Sequence, residues 1–187
     1  MELRDRRMLL IDTETTGFDP EKHQLLEVGI LVLEQGEIIN SLNIKLKHKE
    51  YVLTAGAMKA NKIDIVKHEE YALSAKETCE KILKFLECNY LEEHYLVVGQ
   101  NVDFDIKFIE KLFLSTGRIK DFRNFVGYRK LDLMQLFLIR NIEGKIKAEK
   151  QDLDYILNTL NIEIPTDRHS ALKDCFLEYE VLKKLLY

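Results

Sequence analysis

Acidic side chains fall at three places in this sequence where they could share one site. Asp12-Thr13-Glu14 follows the apolar run at residues 8–11. Side chains along a strand alternate between faces, so Asp12 and Glu14 point to one side and Thr13 to the other. Asn101-Val-Asp103-Phe-Asp105 follows a second apolar run, residues 95–99, and opens an amphipathic helical pattern. Asp103 and Asp105 are both candidates there, in a first helical turn where the backbone dipole favours a carboxylate. His169-Ser-Ala-Leu-Lys-Asp174 begins a third helical pattern. Five helical positions would leave those two side chains about 140° apart. They converge only if His169 lies in the loop and Asp174 in the helix, with Ser170 as the N-cap between them. Asp132, after another strand-like run, is a further acid at a strand end.

Carboxylates gathered from these places without counter-charge would repel one another, so such a cluster is expected to bind hard divalent cations. Two Mg²⁺ or Mn²⁺ ions, roughly 3.5 to 4 Å apart, could hold the attacking and leaving oxygens of an in-line phosphoryl displacement. No thiolate and no histidine pair joins the constellation, which argues against zinc. A loop histidine with an unperturbed pKa of about 6.5 suits a general base toward the attacking water. The reaction class is metal-assisted phosphodiester hydrolysis.

The elements that must position these groups are legible as hydrophobic patterns. At 187 residues, with 46% hydrophobic and 32% charged residues but only 2 Pro and 8 Gly, the chain reads as one globular domain over residues 1–187. Three strand-like runs, 8–11, 25–34 and 37–47, the last two joined by Gln35-Gly36, read as an antiparallel meander. Residues 50–74 read as irregular. A helix presenting Ile82, Leu83, Phe85 and Leu86 follows, then the strand 95–99 and a helix with Phe104, Phe108 and Leu112 on one face, closed by Gly117. A strand at 128–131 and helices at 133–140, 153–160 and 171–186 complete the order. This predicts an α/β fold: a mixed five-stranded sheet, antiparallel meander plus parallel βα units, flanked by helices, with the first strand central. Sheets of this kind place ligands at the carboxyl ends of their strands, where these acids fall.

The net charge of −4, from 28 basic and 32 acidic residues, excludes attachment to duplex nucleic acid or an anionic membrane through a broad basic surface and leaves room for a local groove. Arg118, Lys120, Arg123, Arg129 and Lys130, with Lys145, Lys147 and Lys150, are candidates for a backbone path. There is no signal-peptide pattern and no apolar run long enough for a bilayer, so no membrane partner is expected. Cys79, Cys88 and Cys175 form no C-x-x-C and read as reduced thiols of a cytoplasmic protein.

Taken in order, Asp12-Thr-Glu14-Thr-Thr-Gly17, Asn101-x-x-Phe104-Asp105 and His169-x-x-x-x-Asp174 resemble the three exonuclease motifs of the DEDDh family of 3′→5′ exonucleases. The resemblance covers nearly the whole chain. Leu25-Leu-Glu27-Val-Gly29 resembles the family's second strand, and residues 152–157 and 169–172 resemble its final helices. It implies a ribonuclease H-like fold and two-metal catalysis with Mg²⁺ or Mn²⁺. It further implies release of 5′-mononucleotides from the 3′-hydroxyl end of single-stranded or frayed DNA, with RNA as the other polymer the motifs allow. By the same resemblance Asp12, Glu14, Asp105 and Asp174 are the metal-binding acids and His169 the general base, while Asp103 occupies a variable position. The backbone after the first acids and the loop 57–63 resemble the segments that contact the terminal nucleotide, making Thr15, Thr16, Met58 and Asn61 candidate substrate contacts. Phe18 and Met58 are the candidates for stacking on a terminal base, since the chain has no Trp. Gln100 stands where many proofreading members carry His. Within the family the likeness is to the proofreading epsilon subunit of bacterial DNA polymerase III, so the implied partners are nucleic acid 3′ ends and a DNA polymerase subunit. The alternative is a non-catalytic nucleic-acid-binding or polymerase-adaptor module on the same fold. Presence of all four acids and the histidine favours the enzyme.

Overall fold

The computed structural model describes residues 7–91, 93–166 and 170–186. In chain order the elements are β1 (Met8–Thr15), β2 (Leu25–Glu34), β3 (Glu37–Lys45), α1 (Ala55–Asn61), α2 (Ile65–Glu69) and α3 (Ala75–Cys88). There follow β4 (Tyr95–Gly99), α4 (Val102–Ser115), α5 (Ile119–Arg123), β5 (Val126–Asp132), α6 (Leu133–Ile142), α7 (Leu153–Thr159) and α8 (Ala171–Leu186). The five strands form one sheet in the order β3-β2-β1-β4-β5, so β1 is central as expected. It pairs antiparallel with β2 and parallel with β4, and β4 pairs parallel with β5.

Alternation along β1 divides the core in two. Leu9 and Ile11 face a cluster with Ile82 and Leu86 of α3 and Ile106, Ile109 and Phe113 of α4. Leu10 faces the other cluster, with Phe137 of α6, Ile156 and Leu157 of α7, and Val181 and Leu182 of α8. Helices therefore cover both faces. By the same alternation Asp12 and Glu14 face the α8 side and Thr13 the α4 side.

The first strand ends in its acids as expected: the ladder to β2 runs through them, with Asp12 opposite Gly29 and Glu14 opposite Glu27, before a bulge between Glu14 and Thr15. Two expectations need correction. The stretch 50–74 contains α1 and α2, each introduced by a side-chain cap, Thr54 accepting from Ala57 N and Asp64 from Val66 N and Lys67 N. Helix α5 was likewise unforeseen. Helices of five to seven residues span less than two turns, too short for a hydrophobic period to register. No described helix is long and apolar enough to cross a membrane.

Candidate active site

The carboxyl end of β1 carries the first two acids, held by backbone pairing on the β2 side and left open beyond β4. The β1–β4 register includes Leu10 opposite Val98 and no partner for Asp12 or Glu14. Helix α8 brings the third acid. Its first turn lies so close to β2 that a Cβ built on Gly29 would come within 2.4 Å of Ala171 C and Leu172 N. Gly29 pairs with Asp12, so the absence of a side chain there lets Asp174 approach the acids of β1. Two further contacts hold α8 in place: Ser170 Oγ donates to Glu27 Oε1 at 3.0 Å, and Tyr179 Oη donates to Gly36 O at 3.0 Å. Asp12, Glu14 and Asp174 each offer a carboxylate oxygen, and these oxygens all lie within 4.8 Å of one another.

Asp105 arrives from the opposite face. It sits in the first turn of α4, is 3% exposed, and accepts a hydrogen bond from Thr13 Oγ1 at 2.6 Å. Burial raises its carboxyl to about 7, against the lowering effect of the Thr13 hydroxyl and backbone N–H groups, and Asp132 adds to the rise. Asp12 is pushed well above the usual carboxylate range, first by desolvation and then by Asp105, Glu178, Glu14 and Asp174. These acids thus act on each other as a like-charged group. Asp103 is elsewhere: it is mostly exposed and paired with Lys130, which holds its carboxyl below the usual range. Asp132 caps α6 through Met134 N (2.9 Å) and accepts from Asn101 N (3.2 Å), tying the turn after β4 to the start of α6. His169 lies outside the described residues.

The four candidate substrate contacts divide. Asn61 is buried at the end of α1, donates Nδ2 to Thr15 O at 3.1 Å, and lines an open cleft of about 240 Å³ with Asp12, Thr13, Glu14, Gln100, Asp174 and Glu178. Thr15 and Thr16 spend their hydroxyls inside the protein, on Gly17 O (2.8 Å) and Gln24 Oε1 (3.2 Å), which stiffens the turn after the acids. Met58, half-buried on α1, is not among the residues lining the cleft. A larger cavity of about 450 Å³ lies along β5 and is lined by none of the candidate metal acids.

Residues 9–182 match the family model RNase_T, described as exonuclease. The chain belongs to the RNase_T exonuclease family. It is a nuclease hydrolase, and its fold is ribonuclease H-like. This exonuclease is 31% identical over 185 residues to DNA polymerase III subunit epsilon of Aquifex aeolicus, an alignment that covers 98% of this chain and 82% of that protein. It is 24% identical over 189 residues to the PolC-type DNA polymerase III of Thermotoga maritima, of which it spans 12%. Zinc-bound Escherichia coli exonuclease I in complex with single-stranded DNA shares the fold, with a TM-score of 0.81 at 16% identity over 97% of this chain and 40% of that one.

One acid that lines this cleft escaped the sequence reading. Glu178 is 1% exposed and lines the cleft beside Asp174. Its signal was present: an acid four residues after Asp174, amid Phe176, Leu177, Tyr179 and Val181, shares Asp174's helix face and has no solvated side. Four of the eight candidates for the basic path are engaged in ion pairs, Arg118 with Asp121, Arg123 with Glu110, Lys130 with Asp103 and Lys145 with Glu143.

Proposed function

We propose that this RNase_T-family chain is a divalent-metal-dependent 3′→5′ exonuclease that removes 5′-mononucleotides from the 3′-hydroxyl end of single-stranded or frayed DNA. The observation that carries the reading is the convergence of Asp12, Glu14 and Asp174 within 4.8 Å at the end of the central strand. Three carboxylates without a thiolate make an oxygen-only donor set, which suits Mg²⁺ or Mn²⁺. Burial, with repulsion from the neighbouring acids, raises Asp12, which also fits a centre built to hold positive charge. Two such ions, when bound, supply charge stabilisation to both the attacking and the leaving oxygen of a phosphodiester.

The chain's own residues supply position and proton transfer. Asp12 and Glu14 are fixed by the β1–β2 ladder, Asp174 by the close seat of α8 on Gly29, and Asp105, the proposed fourth metal-binding acid, by Thr13. His169, adjacent to Ser170 at the start of α8, is the proposed general base, taking the proton of the attacking water on a ring nitrogen. The turn stiffened by Thr15 and Thr16 offers its backbone to the terminal nucleotide, and Asn61 bounds the cleft on the α1 side. Phe18, 78% exposed and 6.4 Å from the Phe104 ring, offers a stacking face for a base. Likeness to an epsilon subunit supports DNA over RNA, a DNA polymerase subunit as partner, and a cytoplasmic setting.

The test is a comparison of end-labelled single-stranded DNA, duplex DNA with a mismatched 3′ end, and RNA, each with Mg²⁺ and with Mn²⁺. Stepwise loss of mononucleotides from 3′ ends, fastest on single-stranded or mismatched DNA, is expected. Binding of single strands without cleavage under either metal would instead identify an adaptor.

A further inference from the structure

Helix α8 carries a second acid into the site. Glu178 lies one helical turn after Asp174 on the same face and is 1% exposed. Its Oε1 accepts the backbone N–H of Gln100 at 3.2 Å. Its Oε2 is fully buried and has no hydrogen-bond partner among the described residues. Gln100 Oε1 is in the same condition, while the other end of that amide is anchored, Nε2 donating to Gln151 O at 3.1 Å. Both residues line the cleft with Asp12, Glu14 and Asp174.

A single N–H can be satisfied by any neutral acceptor. A carboxylate in this position is buried, leaves one oxygen unserved, and faces Asp105, Asp174, Asp132 and Asp12. Such a group is strongly unfavourable unless positive charge offsets it. Two buried oxygen acceptors without a donor, on the wall of a cleft already lined with acids, mark a place for a cation. Asp12, Glu14 and Asp174 converge at the cleft, and Glu178 lines it beside them with Gln100.

We propose that Glu178 is a fifth carboxylate of the metal centre, its Oε2 offered to the second divalent ion, while Asp12, Glu14 and Asp174 hold the first. The proposal rests on the two-ion reading above. It assigns to Glu178 a direct role as metal ligand, beyond its structural bond to Gln100.

Isothermal titration of the metal-free full chain with Mn²⁺, alone and with thymidine 5′-monophosphate, separates the possibilities. Wild type should take up two ions in at least one of the two titrations. Glu178→Gln, which keeps an acceptor for the Gln100 N–H, should retain one ion and lose the other or bind it at least about tenfold more weakly. Should that variant not fold, Glu178→Asp keeps the charge, withdraws the oxygen and should show the same loss. Uptake of one ion only by wild type in both titrations, or a variant that matches wild type in stoichiometry and affinity, overturns the proposal. Two-ion binding that falls to one in Glu178→Gln, in a protein that cleaves no oligonucleotide, would keep the metal centre and remove the nuclease reading.

Discussion

Replacing Asp105 with asparagine should stabilise the metal-free protein and at the same time abolish its metal-dependent activity. The amide retains an oxygen for the Thr13 hydroxyl, which now donates to Asp105 Oδ1 at 2.6 Å, and it cannot ionise. Asp105 is raised to about 7 in the fold, chiefly by burial, against about 3.9 for an unfolded chain. Folding therefore favours the protonated form. The corresponding stability is fully present below about pH 4 and is lost as pH rises through about 7. The gap corresponds to on the order of 4 kcal/mol of lost stability above pH 7. Even half of that, about 2 kcal/mol, shifts the melting midpoint of a domain this size by about 4 to 8 °C. Thermal denaturation followed by circular dichroism, in chelator, should give matching midpoints for the variant and wild type near pH 4 and a higher midpoint for the variant near pH 8. Excess Mg²⁺ should narrow the difference by stabilising the wild type, in which Asp105 is a proposed metal ligand. A variant that melts at or below the wild-type temperature near pH 8 in chelator would refute the claim that Asp105 is held in the fold as a strained, cation-requiring acid.

Other residues give equally direct outcomes. Gly29→Ala places a Cβ about 2.4 Å from the backbone of Ala171 and Leu172; the displaced α8 should cost about 1 to 3 kcal/mol in urea unfolding and weaken Mn²⁺ binding because Asp174 moves with it. A variant as stable and as metal-avid as wild type would show that the close seat of α8 does not position the site. His169→Ala should lower the cleavage rate by about 10²- to 10⁴-fold and flatten the acidic limb of the pH–rate profile; an unaltered profile removes the histidine from proton transfer.

Much of the frame could be read from residue patterns because long apolar segments allow few alternatives. The runs at Leu25–Glu34 and Tyr95–Gly99 and the amphipathic repeat at Ala171–Leu186 are observed with the expected bounds. Alternation in β1 also places Asp12 and Glu14 on the face toward α8, where Asp174 meets them. What could not be read depends on contacts distant in sequence. Gly29 is required by a helix some 140 residues later, Thr13 faces away from the first acids yet binds Asp105 across 92 residues, and the free oxygen of Glu178 becomes meaningful only beside Gln100. Short α1 and α2 are started by local side-chain caps, α5 has none, and all three are too short for a hydrophobic period of their own.

The central claim is that Asp12, Glu14 and Asp174 hold the ion that drives hydrolysis at a 3′ end. Single-stranded DNA labelled at its 5′ end, incubated with Mg²⁺ and either the wild-type chain or Asp174→Ala at matched folded concentration, tests it most directly. A ladder shortening one nucleotide at a time from the 3′ end is expected with wild type and uncut substrate with the variant. Equal shortening by Asp174→Ala, or no shortening by the folded wild-type chain with Mg²⁺ or Mn²⁺, would contradict it.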